Sequence, residues 1–203
     1  MPAVEIFSNH HDQVGESPLW DSEGQCLWWV DIESKRIQKK SLSGPMQSWQ
    51  LPEKVGCIAR TADGRVLAAM ETCVALLTLK SDGLYEQQTL ATMAHAKPGM
   101  RFNDGRCDPS GRMWIGTMVM DMGKNDNAGG LYCLDERGLT GPYIDGLYTP
   151  NGLAFSPDGK TMYLSDSHSK AQKIWRCQID LTSGQLSSRT LFVDMTDVPG
   201  RPD

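Results

Sequence analysis

Short apolar runs, each closed by Gly, Pro, Asp or Ser, follow one another along the chain. No stretch keeps apolar residues at three-four spacing for more than two turns, so the pattern predicts strands and no convincing helix. Thirteen strands are predicted, over residues 26–31, 36–41, 57–61, 66–71, 74–80, 86–91, 106–108, 113–118, 130–135, 153–156, 162–166, 173–180 and 190–194. Their close, even spacing predicts an all-β fold.

One unit recurs four times, as SPLWDSEGQCLWWVD, IARTADGRVLAAME, GRCDPSGRMWIGTM and GLAFSPDGKTMYLSD. Each copy has a short strand, a glycine turn and an apolar strand. The turn glycines Gly24, Gly64, Gly111 and Gly159 stand 40, 47 and 48 residues apart. Asp-Gly and Ser-Gly suit tight hairpins, because glycine accepts positive φ. This period, with about four strands per repeat, predicts the blades of a β-propeller. WD40 punctuation is missing, since Trp20-Asp21 precedes a turn.

In a propeller the innermost strand of every blade lines a central channel, so equivalent positions form a ring. Glu16 in Gly15-Glu16-Ser17-Pro18, Asn103 in Asn103-Asp104-Gly105 and Asn151 in Pro150-Asn151-Gly152 open such strands, and Asp203 ends the chain in the same idiom. The steps from Asn103 to Asn151 and from Asn151 to Asp203 are 48 and 52 residues, close to one blade each. These residues are therefore expected to converge. Glu16, Asn151 and Asp203 offer oxygen only, which suits a hard divalent cation such as Ca²⁺, Mg²⁺ or Mn²⁺. Zn²⁺ also accepts carboxylate ligands in an open site.

Charge and composition narrow the function. The 203 residues carry a net charge of −5 with no basic stripe, which argues against nucleic acid. The opening MPAVEIFSNHHDQ has no secretion signal, and the run Val74-Ala75-Leu76-Leu77 is too short to span a membrane. Six cysteines without a CxxC pair read as reduced, core or sheet thiols of a cytoplasmic protein. The four histidines lack zinc spacing and read as surface or loop residues. The six tryptophans read as blade packing. The loop from Asp121 to Asn127 is no EF-hand, having Gly123 at a ligand position and no closing Glu. No GxSxG is present, so a serine nucleophile is not expected. Asp104 reads as a loop brace and Asp108 as a turn starter.

GESPLW at 15–20, RFNDGRCDPSGRMWIGTM at 101–118 and TPNGLAFSPDGKTMYLSDS at 149–167 resemble the family of senescence marker protein (regucalcin), gluconolactonase and related sugar lactonases. The resemblance runs to residue 203. It implies a six-bladed β-propeller, one divalent metal ion in the axial channel, and hydrolysis of a sugar lactone. It also implies roles. Glu16, Asn151 and Asp203 resemble the metal ligands, Asp203 also the general base, and Arg101, Asn103 and Asp121 the substrate contacts. Six blades of this repeat need about 290 residues. The chain is thus expected to hold about four blades of one propeller domain, truncated at its C-terminus. Two bare blade faces would then invite self-association. An alternative reading is a propeller that binds calcium or a protein without turnover, or an inactive fragment.

Overall fold

The computed structural model describes residues 4–203. Sixteen strands form four separate antiparallel sheets, each of four strands in chain order. The first sheet holds β1 (Gly15–Asp21), β2 (Cys26–Asp31), β3 (Arg36–Ser41) and β4 (Met46–Gln50). The second holds β5 (Val55–Arg60), β6 (Val66–Met70), β7 (Cys73–Leu79) and β8 (Tyr85–Thr92). The third holds β9 (Met100–Cys107), β10 (Met113–Val119), β11 (Gly129–Asp135) and β12 (Gly138–Leu147). The fourth holds β13 (Pro150–Phe155), β14 (Thr161–Asp166), β15 (Lys173–Ile179) and β16 (Leu186–Asp194). The all-β propeller reading therefore holds, with four blades. Among the described residues the one helical turn is a 3-10 turn at Met122–Lys124.

Blade-on-blade packing explains why the repeat is visible. Successive side chains of a strand point to opposite faces. In β6, Val66, Ala68 and Met70 join Trp28, Val30 and Ile37 between the first and second blades. Leu67 and Ala69 join Phe102, Met113 and Ile115 between the second and third. In β10, Trp114 turns the other way, toward Met162 and Leu164 of the fourth blade. A middle strand covered on both sides reads as a continuous apolar run. Each fully buried large side chain in these layers contributes about 1.5–3 kcal/mol.

Three strands escape the hydrophobic pattern. β1 carries Pro18 and buries no residue fully. β4 is an outer strand in which only Trp49 is fully buried. β12 contains Gly141 and Pro142, which argue against a central strand but are tolerated here because β12 pairs only with β11. β9 begins at Met100 and β13 at Pro150, so both are longer than predicted.

A second repeated device fixes where each inner strand begins. The residue seven places beyond the turn glycine is Asp31, Glu71, Met118 and Asp166 in the four blades. Asp31 accepts hydrogen bonds from the amides of Gln13 and Val14, each at 3.1 Å. Glu71 accepts from Lys54 N at 3.1 Å, and Asp166 from Tyr148 N at 3.0 Å and Thr149 N at 2.9 Å. These amides immediately precede β1, β5 and β13. Only the third blade lacks the clamp.

The third and fourth blades are stapled by a buried ion pair. Arg112 Nε donates to Asp108 Oδ2 at 2.7 Å, with side-chain exposures of 9% and 0%. Asp108 also accepts from Trp114 Nε1 at 3.1 Å. Arg112 Nη2 reaches Leu181 O at 2.7 Å, in the turn between β15 and β16. Asp108 does start its turn, accepting from Ser110 N, but it also anchors this network. Removing one partner of such a pair leaves a buried charge, which costs about 3–5 kcal/mol. Arg112→Met is expected to lower the urea unfolding free energy by that amount; a loss below about 1 kcal/mol would contradict the staple.

Candidate functional site

Every inner strand is interrupted near its beginning. The register shifts between Glu16 and Leu19 in β1, between Val55 and Cys57 in β5, and between Asn151 and Ala154 in β13. In β9 the shift falls between Phe102 and Gly105. A bulge re-aims side chains beside it. Glu16, Asn103, Asp104 and Asn151 all stand at these shifts, and all lie toward the end where the inner strands begin.

An open cleft of about 1410 Å³ follows the inner strands. Glu16, Asp104 and Asp203 line it, with Gly105 and Gly152 between them. Gly152 has φ +58°, and a Cβ there would stand 2.7 Å from the backbone carbon of Asp203 and 2.9 Å from Ser165 Oγ. Glycine thus lets the segment ending at Asp203 lie against β13.

Behind the cleft runs a chain of side-chain hydrogen bonds. Arg101 Nη1 donates to Asn103 Oδ1 at 2.6 Å and to Phe102 O at 2.8 Å. Asn103 Nδ2 donates to Asn151 Oδ1 at 2.6 Å and to Pro150 O at 2.9 Å. Asn151 Nδ2 donates to Ser167 Oγ at 3.0 Å. Arg101 and Asn103 are buried, at 9% and 6% exposure. The network therefore connects the third blade to the fourth and fixes the Asn151 amide.

The electrostatics are lopsided. Burial raises the Glu16 carboxyl above its ordinary value; Asp203 and Asp104 push it further, and Arg101 opposes them. Burial also raises Asp104, although the amide of Leu153 stabilises its charged form from 3.3 Å. Burial lowers Arg101 below the usual guanidinium range, and neighbouring carboxylates, Glu16 among them, hold it up. Three carboxylates thus share one region of the cleft, where a cation would relieve their repulsion. Among the described residues, no three His, Cys, Asp or Glu side chains approach closely enough to hold an ion unaided. An oxygen-only set of Glu16, Asn151 and Asp203 fits a hard divalent cation by donor chemistry. Asn151 Oδ1 keeps a second lone pair beyond the one facing Asn103.

Several assignments change in the structure. Asp104 is a loop brace through Leu153 N and is also a cleft carboxylate. Asp121 stands apart from the network, exposed, accepting from Gly123 N at 3.1 Å as the cap of the 3-10 turn. His168 is 4% exposed and buried, not superficial. Trp20 is 47% exposed beside the cleft, so it does not pack a blade. All six cysteines are free, five of them buried, but Cys107 is exposed. The polar run Ser165-Asp166-Ser167-His168, directly after Leu164, was the signal for the missed partners of Asn151 and Tyr148.

Residues 14–203 match the protein family described as the SMP-30/Gluconolactonase/LRE-like region. The chain belongs to this family. Regucalcin of Danio rerio is 31% identical over 201 residues, covering 98% of this chain and 66% of the relative. The 6-deoxy-6-sulfogluconolactonase of Pseudomonas putida is 33% identical over 192 residues, covering 94% and 63%. The crystal structure of the calcium-binding protein regucalcin from Agrobacterium tumefaciens superposes with a TM-score of 0.87 at 28% identity, over 98% of this chain and 65% of that one. The chain thus spans just under two thirds of the length of these SMP-30/gluconolactonase relatives.

The packing at Gly152 is open to test. Gly152→Ala should cost about 1–2 kcal/mol for the left-handed backbone alone, and more for displacing Asp203. Gly99, with φ +78° and nothing within 4 Å of a Cβ, supplies the control. Urea unfolding of Gly99→Ala should show the backbone cost only; equal losses at the two sites would remove the contact from the site.

Proposed function

We propose that the chain is a metal-dependent sugar lactonase whose site is formed by Glu16, Asn151 and Asp203, with Arg101, Asn103 and Asp121 as substrate contacts. The observation that carries this reading is the crowding of Glu16, Asp104 and Asp203 in one cleft beside the fixed Asn151 amide. Lactonases among the relatives support the same chemistry. They include the pentonolactonase of Haloferax volcanii and the L-arabinolactonase of Azospirillum brasilense.

Lactone hydrolysis adds water to the ring carbonyl and then breaks the ring ester C–O bond, leaving a hydroxy acid. Glu16, Asn151 and Asp203 would hold the divalent ion, which would serve as a Lewis acid for the carbonyl oxygen. Asp203 takes a proton from the attacking water, and the same proton serves the leaving ring oxygen. Asp203 is exposed and so is reachable by water. Arg101 uses Nη1 on Phe102 and Asn103, and its other N–H groups are offered to sugar oxygens. Asn103 sets the orientation of the Asn151 amide. Asp121 accepts from sugar hydroxyls at the rim. Asp104 stays beside Glu16 as fixed negative charge that favours a bound cation. A reducing compartment such as the cytoplasm suits six free thiols.

The test is acid release from gluconolactone, followed with a pH indicator. Turnover should vanish with chelator and return with Mn²⁺, Ca²⁺ or Zn²⁺. Asp203→Ala should lower kcat by about 10²–10⁴-fold, the usual contribution of a general base. Glu16→Gln should weaken cation binding measured by calorimetry. Cation binding without turnover would instead support a binding propeller, in line with the calcium-binding relative. Turnover unchanged by chelator or by Asp203→Ala would defeat the proposed mechanism.

A further inference from the structure

Three connections emerge at the end of the propeller where the inner strands begin. Met118 pairs with Arg101 and Val119 with Met100, so the segment 120–128 after β10 leaves at that end. Asp166 pairs with Pro150, so His168, two residues past β14, lies there as well. Lys97 precedes the start of β9 and completes the set.

The segment 120–128 has no core of its own. Asp121, Gly123, Lys124, Asn125 and Asn127 are exposed, and its 3-10 turn buries no residue. Beyond the bond from Met120 N to Gly99 O at 2.9 Å where it leaves β10, its place is fixed from outside, on two sides. Lys97 Nζ donates to Asp126 Oδ2 at 2.6 Å from the second-to-third blade connection. From the fourth blade, His168 Nε2 meets Met122 O at 3.1 Å.

The His168 end is a built contact. Lys170 N donates to His168 Nδ1 at 3.1 Å, which makes Nδ1 the acceptor and leaves the proton on Nε2 for Met122 O. The imidazole stacks on Tyr148, with centroids 4.9 Å apart and planes 16° from parallel. Tyr148 is itself fixed, because its amide donates to Asp166 Oδ2. Met122 O also accepts from Asn125 N at 3.2 Å, so the same oxygen closes the 3-10 turn that Asp121 caps.

We infer that His168 is a positioning residue: its Nε2–H, held by the Tyr148 stack and the Lys170 amide, latches the strap 120–128 through Met122 O and so places Asp121 for the hydroxyls of a polyhydroxylated lactone. The substrate part rests on the lactonase reading above. The latch itself rests on this geometry alone.

Trypsin cleavage after Lys124 reads the latch without any turnover. Losing one net hydrogen bond should raise the cleavage rate of folded His168→Leu by roughly five- to tenfold. His168→Gln, which keeps an N–H donor, should stay near the native rate. Tyr148→Ala, which keeps the imidazole but removes its stacking partner, should also cleave faster, and it serves if His168→Leu does not fold. Native cleavage rates in His168→Leu and Tyr148→Ala, or no rescue by Gln, would overturn the latch. With gluconolactone as the probe, His168→Leu should raise KM several-fold and leave kcat nearly unchanged. A loosened strap with an unchanged KM would leave the latch standing and remove Asp121 from the substrate contacts. Absence of turnover in the native chain would count against the lactonase reading alone.

Discussion

The constraint that organises this molecule is two-sided burial of its middle strands. Each of β2, β6, β10 and β14 lies inside a blade, and in β6 and β10 alternate residues face opposite neighbours. Polar side chains have little place in such layers, because each buried polar group needs a partner. The exceptions are tightly satisfied, as in Asp108 with Arg112 and Trp114. Chemistry is therefore displaced to the inner strands, whose free edges face the cleft. A bulge near the start of each inner strand then turns Glu16, Asp104 and Asn151 out of the regular alternation.

The same constraint decides what can be read from sequence. Strands buried on both faces, such as Val66–Met70 and Met113–Val119, announce themselves as apolar runs after a glycine turn. The outer strands β4 and β12 do not, because one side or one edge faces solvent and little apolar signal remains. The equivalent places of Glu16, Asn103 and Asn151, each eight residues before its turn glycine, were legible through repeat spacing. Asp104 was harder. Its neighbour Asn103 enters the buried network while Asp104 lines the cleft, and that division depends on a bulge no residue type declares. His168 was hidden for another reason: its burial comes from Tyr148 and from a strap 46 residues away. Long-range contacts of this kind leave no periodic trace.

The third blade shows what one exception in a repeat can change. Its clamp position holds Met118 where the other blades have Asp31, Glu71 and Asp166. Met118 lies directly opposite Arg101, and opposed residues on neighbouring antiparallel strands are close enough to interact. An acid at position 118 would therefore stand within reach of the buried guanidinium and neutralise it. Buried Met118 cannot, so Arg101 remains free to bond Asn103 and to act on Glu16. The loss of the clamp has a second effect. No side chain at position 118 clamps the amides ahead of β9; that connection is held by Met120 N to Gly99 O at 2.9 Å, by His95 Nε2 to Glu71 O at 2.6 Å, and by Lys97 to Asp126 of the strap. One apolar residue at a repeated acidic position thus leaves a cation available behind the cleft, and the strap that carries Asp121 shares in anchoring the connection ahead of β9.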